Sequence, residues 1–226
     1  MSQNYKSVFD IIGPVMIGPS SSHTAGAVAI GRAANSIIGG PPDKAVIRYY
    51  ESFAQTHKGH GTDYAIVSGL LGFEPDDSRV PQAVDIARGQ GIDIRFVEEQ
   101  GDSPIKHPNT AILEMTKDGR QVTVSGCSIG GGTIEIRRIQ ADGFDIQPGG
   151  LLPFLLVEEP GTGQTCEDEV KPIADKLASL GVLGGCSECC DEERGKTMYA
   201  FDLDKPLTAQ TVKDFASHSS RISYIS

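Results

Sequence analysis

The spacing of apolar residues along the first part of the chain predicts three helices and a strand. Residues 25–38 (AGAVAIGRAANSII) have the apolar spacing of a helix with one buried face. Residues 44–50 (KAVIRYY) are rich in β-branched and aromatic residues and predict a strand. Further helices are predicted within residues 62–73 and 80–91, whereas SFAQTHKGHG (52–61) is predicted to be a loop.

From residue 93 onward the apolar period falls to two, which predicts strands. We expect these strands at residues 93–99, 111–119, 120–126 and 131–140, with a hairpin turn at Asp118-Gly119. Helices that are followed by strands pairing antiparallel indicate an α+β fold.

Residues 141–150 (ADGFDIQPGG) are rich in turn formers and predict a boundary between two domains, 1–147 and 148–226. Beyond this boundary the pattern predicts the order strand, helix, strand, strand, helix, strand. This is the ferredoxin-like βαββαβ order. Because each side of the boundary has its own apolar pattern, residues 1–150 are expected to fold without the rest.

The composition restricts the classes of partner. The chain has 226 residues, of which 38% are hydrophobic, and a formal net charge of −10 at pH 7. An acidic chain binds nucleic acid and anionic membranes poorly, so neither is expected as a partner. Polar residues, glycine and proline interrupt the apolar N-terminal residues, and no run approaches the ~18 apolar residues of a membrane helix. We therefore expect no signal peptide and a cytoplasmic location.

Five cysteines occur in the chain, namely Cys127, Cys166, Cys186, Cys189 and Cys190. Their odd number, without an export signal, indicates reduced thiols. The C-x-x-C-C segment at 186–190 is either a metal or cluster site or a thiol-rich strand or loop. The lack of a second cysteine pair favours the second interpretation. The first would make the chain a stand-alone metal-binding protein.

The segment GPSSSHTAGA (18–27) forms the first candidate site. Its hydroxyl residues surround His23 just before the first predicted helix, and they are Ser20, Ser21, Ser22 and Thr24. One of the four is expected to cap the helix, so the others exceed that need. Because free N–H groups at a helix start bind small anions, we interpret the segment as an anion site beside an imidazole.

The segment THKGHGTD forms the second candidate site. Gly59 and Gly61 flank His60, which predicts an uncrowded imidazole. Histidine can transfer a proton near pH 7, and we predict that role for His60. His57 and Lys58 are instead interpreted as parts of a solvated polar loop.

Two further segments allow two interpretations each. In HPNTA (107–111), Asn109 and Thr110 are either ligand donors or ordinary turn residues. In SIGGGTIEI (128–136), the three glycines either approach a ligand closely or form a flexible hairpin. No G-x-G-x-x-G motif follows a predicted strand, so nothing supports a dinucleotide-binding fold.

These segments, preceded by VFDIIGPVMI and taken in order across residues 7–140, resemble the β subunit of bacterial iron–sulfur-dependent L-serine dehydratases. The resemblance implies an L-serine ammonia-lyase, which converts L-serine to pyruvate and ammonia. It also implies a first domain of the kind found as a regulatory substrate-binding domain in some phosphoglycerate dehydrogenases. The second domain would be an ACT domain, a βαββαβ module that often binds amino acids.

The resemblance further implies a division of labour between subunits. In that family cysteines of a separate α subunit or α domain bind a [4Fe–4S] cluster, and none of the five cysteines lies in the quoted motifs. We therefore expect the cluster on an α-subunit partner and assign no metal ligand to this chain. Either His60 or His23 is the expected base. The residues expected to bind L-serine are Ser20, Ser21, Ser22, Thr24 and Asn109.

Beyond residue 150 the sequence departs from the ACT pattern. CEDEVKPIADKL stands where an apolar, glycine-started helix is usual, and GCSECC replaces an apolar strand. EPGTGQ (159–164) is the best candidate ligand loop in this part. The alternative function is a regulatory subunit that senses L-serine and contributes no catalytic group. Homodimerisation is left open.

Overall fold

The computed structural model describes residues 15–158, 167–191, 196–216 and 221–226. The helices in these residues are α1 (Gly26–Ile38), α2 (Glu51–His60), α3 (Thr62–Leu70), α4 (Ala83–Gly89), α5 (Glu167–Ser179) and α6 (Ala209–Ala216). A π-helical turn, Ser21–Ala25, runs directly into α1, and a 3₁₀ turn, Val80–Gln82, runs into α4. None of these helices is long and apolar enough to cross a membrane.

The strands form two sheets. They are β1 (Lys44–Tyr50), β2 (Asp93–Glu98), β3 (Asn109–Lys117), β4 (Arg120–Gly130), β5 (Thr133–Ala141), β6 (Phe144–Ile146), β7 (Phe154–Glu158), β8 (Leu183–Asp191), β9 (Lys196–Leu203) and β10 (Arg221–Ile225). The larger sheet has the order β2-β1-β3-β4-β5-β6 and the smaller one the order β10-β7-β9-β8.

The larger sheet turns one face toward helices α1 to α4. On β1, Ala45, Ile47 and Tyr49 are fully buried, while the residues between them are half-buried. This alternation follows from the two-residue period of a strand. The buried residues join apolar side chains of α1 and α3, such as Ile30 and Ile66, in one core.

The smaller sheet has apolar residues on both faces. One face packs under α5 and α6, where Ile173, Leu177 and Phe215 form a separate apolar cluster with strand residues. The other face belongs to the main core, to which it contributes Phe154, Leu156, Met198, Ala200 and Ile225. The main core therefore contains residues from both sides of the predicted domain boundary between residues 147 and 148.

The structure confirms the α+β class and the βαββαβ order of the second half. Two local expectations are wrong. Residues 52–61 form most of α2 and its cap rather than a loop. Strand β2 pairs parallel with β1, since the helical connection between them returns the chain to the same edge. Within the turn-rich residues 141–150 the structure adds one short strand, β6, which pairs with β5. The division at 147/148 stays a prediction, and the candidate ligand loop 159–164 lies outside the described residues.

Candidate active site

Ser20 caps the turn that carries the first candidate site. Its backbone is extended (φ −143°, ψ 126°), and its hydroxyl accepts a hydrogen bond from the His23 backbone N–H at 3.1 Å. Ser21 then opens the π-helical turn, a geometry that is frequent at functional sites. One serine thus acts as the cap, as expected from the sequence, and the other hydroxyl residues are not needed for that role.

His23 lies between hydroxyls on both sides of its ring. Its Nδ1 is 3.0 Å from Ser22 Oγ, and its Nε2 is 3.2 Å from Ser52 Oγ in the first turn of α2. The ring of Phe53 packs against it with centroids 5.2 Å apart. Burial, and next the nearby His60, hold the pKa of His23 below its ordinary value. The neutral imidazole is therefore favoured near pH 7.

His60 is the last residue of α2, and its ring stands edge-on to the His23 ring with centroids 4.8 Å apart. The Thr24 hydroxyl donates a hydrogen bond to the His60 carbonyl oxygen at 3.1 Å and so ties the serine turn to α2. Among the described residues, the buried Nδ1 of His60 has no hydrogen-bond partner. Because an unpaired buried polar atom costs stability, a hydrogen-bond partner is expected for this atom.

The two glycines beside His60 have roles other than isolating its ring. Gly59 is an exposed helical residue, with open space where a Cβ would point. Gly61 adopts the left-handed conformation (φ 70°) that ends α2, and its N–H donates a hydrogen bond to the His57 carbonyl oxygen. A side chain there would also overlap the Tyr64 ring. Gly61 therefore forms the corner between α2 and α3, which presents His60 to His23.

Asn109, the predicted substrate-binding residue outside the first two segments, takes part in the fold. It is the first residue of β3, and its Nδ2 donates a hydrogen bond to the Ser128 carbonyl oxygen at 3.3 Å. Its backbone N–H donates to Nδ1 of His107 at 3.1 Å. It also forms an isolated antiparallel bridge with Glu51, directly before Ser52. The structure thus places Asn109 beside the start of α2, and its binding role stays a prediction.

The glycines at 130–132 form a tight hairpin turn between β4 and β5. All three have positive φ angles, between 62° and 107°, and Gly130 pairs with Thr133. Glycine reaches these angles without steric cost, which explains the run. The hairpin interpretation of this segment is the one that the structure supports.

Three hydroxyl residues near the site were given no binding role from the sequence, namely Ser52, Thr62 and Ser128. The Thr62 and Ser128 hydroxyl oxygens are buried and have no hydrogen-bond partner in the described part of the chain. Ser128 lies against the start of α1, because a Cβ on Gly26 would lie 2.7 Å from Ser128 Cβ. The chain reaches Ser52 through Glu51, whose φ of 44° is uncommon for a residue with a side chain. No local pattern indicates these contacts.

Comparison with known proteins shows the family to which the chain that carries this site belongs. Residues 7–138 match the family model described as "Serine dehydratase beta chain". The chain belongs to the serine dehydratase beta chain family. The matched residues include the serine turn, both histidines and Asn109.

Individual relatives extend the match over most of the chain. The "Probable L-serine dehydratase, beta chain" of Bacillus subtilis (strain 168) is 44% identical over 204 residues, covering 90% of this chain and 89% of the relative. The "L-serine dehydratase, beta chain" of Peptoniphilus asaccharolyticus is 41% identical over 211 residues, 89% of each. "L-serine dehydratase 2" of Escherichia coli (strain K12) is 30% identical over 129 residues, which are 54% of this chain but only 28% of that protein.

The four cysteines that the structure describes lie in two strands and do not join other side chains in a metal-binding group. The C-x-x-C-C segment lies in β8, where Cys186 and Cys190 are exposed and Cys189 is half-buried. Cys127 is fully buried in β4, and burial raises the pKa of its thiol to about 11. Among the described residues, no three His, Cys, Asp or Glu side chains could hold a metal ion together. Cys166 lies outside the described residues.

Proposed function

We propose that this chain is the β subunit of an L-serine dehydratase and contributes acid–base and binding groups to the conversion of L-serine into pyruvate and ammonia. The observation that carries this proposal is the meeting of His23 and His60 beside the hydroxyl-rich turn, at 4.8 Å between ring centroids. The family match and the names of two relatives that cover most of the chain support it.

The reaction requires a base, since the Cα proton of serine is only weakly acidic. Removal of this proton and loss of hydroxide from Cβ give an enamine, which becomes the imine and is hydrolysed to pyruvate and ammonia. A positioned general base contributes about 10²–10⁴-fold to such a step. Both histidines remain candidates for it. The lowered pKa of His23 favours the neutral, proton-accepting ring, and His60 has an unpartnered buried Nδ1.

Substrate recognition requires a site for the serine carboxylate. We assign this role to the turn that contains Ser20, Ser21, Ser22 and Thr24, with Asn109 at its border. Ser22 already contacts the ring of His23, and Thr24 already holds the backbone of His60. Ser21 opens the turn without serving as its cap, so it is our first candidate for direct contact with the substrate.

We further propose that an α subunit completes the enzyme and that its cysteines hold the [4Fe–4S] cluster, whose iron supplies Lewis acidity. The Escherichia coli relative supports a second part of the enzyme beside this chain, because the segment similar to this chain makes up only 28% of that protein. A cytoplasmic location belongs to the same proposal.

The test is to combine the purified chain with its α subunit without oxygen and to measure pyruvate formation from L-serine. We expect turnover by the complex and none by this chain alone. The double variant His23→Ala/His60→Ala should lose turnover, whereas Gln55→Ala, an exposed change on the same helix α2, should keep it. A complex without serine turnover would disprove the proposal. Full turnover by the double variant would instead identify this chain as a regulatory, serine-sensing subunit.

A further inference from the structure

His57 is buried and bonded to carboxylates at both ring nitrogens, which contradicts its interpretation as part of a solvated loop. It is 3% exposed. Its Nδ1 lies 2.7 Å from Asp63 Oδ1 in the first turn of α3, and its Nε2 lies 2.9 Å from Glu98 Oε1 at the end of β2. The ring of Tyr49 packs on it with centroids 4.8 Å apart. One side chain thus joins α2, α3 and β2.

The two contacts suit a ring that donates from both nitrogens. An ionised carboxylate only accepts hydrogen bonds, so a ring nitrogen that bonds to one donates to it. Bonds from Lys58 and then from His57 hold the pKa of Glu98 down to about 2, so this partner is ionised near pH 7. A cationic imidazole between two anionic carboxylates makes charge-assisted hydrogen bonds, which are stronger than neutral ones.

His57 lies one turn before His60 on α2. Its carbonyl oxygen accepts the Gly61 N–H that ends this helix, and its side chain binds Asp63 just beyond the corner. The Thr24 hydroxyl holds the same turn from the other side through the His60 carbonyl oxygen. The corner that carries His60 is therefore held at both ends, and the His57 side chain ties it to the rest of the fold.

We propose that His57 is a positioning residue that orients His60, acting as a doubly donating imidazolium between Asp63 and Glu98. The inference rests on the proposed function in one respect, which is that His60 belongs to the active site of a serine dehydratase. The opposing view is that His57 merely stabilises the core.

The first experiment uses the complex with the α subunit and the variants Asp63→Asn and Glu98→Gln, which keep the shape of each partner but remove its charge. Displacement of a catalytic group by about 1 Å can cost about 10²-fold in rate, so we expect kcat to fall roughly 10- to 100-fold with KM nearly unchanged. Gln55→Ala is the matched control on α2. Variants whose activity merely follows their folded fraction would overturn the proposal.

The second experiment needs no turnover and uses this chain alone, with ¹⁵N-labelled histidines studied by NMR near pH 7. We expect protons on both His57 ring nitrogens, and we expect Asp63→Asn to shift the ring signals of His60. If Asp63→Asn does not fold, Glu98→Gln provides the same readout, since Glu98 is half-exposed and its loss is milder. A His57 ring with one proton, or unchanged His60 signals, would overturn the proposal. An inactive complex with the expected spectra would count against the proposed function alone.

Discussion

Gly31 of α1 and Gly69 of α3 face each other where the two helices cross. A Cβ on Gly31 would overlap the Ile66 carbonyl oxygen and lie 3.0 Å from the Gly69 Cα, and a Cβ on Gly69 would overlap the Val28 carbonyl oxygen. The helix backbones are therefore in direct contact. Because α1 follows the turn of His23 and α3 follows the corner of His60, this contact also fixes the distance between the two imidazoles.

Gly31→Ala should destabilise the protein because the added methyl group meets backbone rather than a flexible side chain. We expect the free energy of unfolding to fall by about 1–3 kcal/mol, the usual cost of overpacking. Urea denaturation measures it. The matched control is Gly59→Ala on the exposed side of α2, where alanine should stabilise by about 0.5–1 kcal/mol through its better helix propensity. Equal effects of the two changes would show that α1 and α3 are not in backbone contact.

The single variants His23→Ala and His60→Ala should separate catalysis from binding. Each should reduce turnover by the complex with the α subunit by more than the folded fraction of this chain falls, because both histidines are only partly buried. The variant that removes the base should lower kcat together with kcat/KM, whereas loss of a group that only grips the carboxylate should chiefly raise KM. Steady-state kinetics with L-serine make this distinction.

Ser21→Ala provides the binding counterpart. If the Ser21 hydroxyl contacts the substrate carboxylate, its loss should raise KM and leave kcat nearly unchanged. Ser20→Ala differs, because it removes the cap of the turn and should lower stability by about 0.5–2 kcal/mol. A Ser21→Ala variant with the wild-type KM would remove Ser21 from the substrate site.

The sequence predicts the strands and most helices of this fold because their apolar periods are local. Helix α2 escapes prediction because its buried face holds Phe53 and a histidine, so it lacks an apolar period. The burial of His57 depends on Asp63 and on Glu98, which is 41 residues away in the chain. The contact of His23 with Ser52 spans 29 residues. Motif reading identifies such residues as chemically capable, but only the packing of α1, α2 and α3 brings them together.

The shared core weighs against the expectation that residues 1–150 fold without the rest. We now expect residues 1–150 alone to be less stable than the full chain. Phe154 and Leu156 of β7 pack into the same cluster as residues of α1 and β5, so removal of the smaller sheet exposes that cluster to water. Phe154→Ala should therefore destabilise the full chain by about 3–5 kcal/mol. Leu151→Ala, at a site that is 45% exposed, should stay within about 0.5 kcal/mol of wild type. A truncated chain 1–150 that melts cooperatively at the temperature of the full chain would show that the two parts are independent.

The environment of His23 predicts how stability depends on pH. Burial and His60 keep its pKa in the folded chain below the ordinary value of 6.5, which the unfolded chain retains. Between these two values the unfolded state binds more protons, so the free energy of unfolding must fall as the pH falls through this window. His23→Asn removes the titrating group and should lose less stability than wild type between pH 7.5 and pH 5.5 in urea denaturation. Gln55→Ala should follow the wild-type curve. Parallel curves for wild type and His23→Asn would show that His23 titrates alike in the folded and unfolded chain, and would remove the argument for a neutral imidazole beside His60.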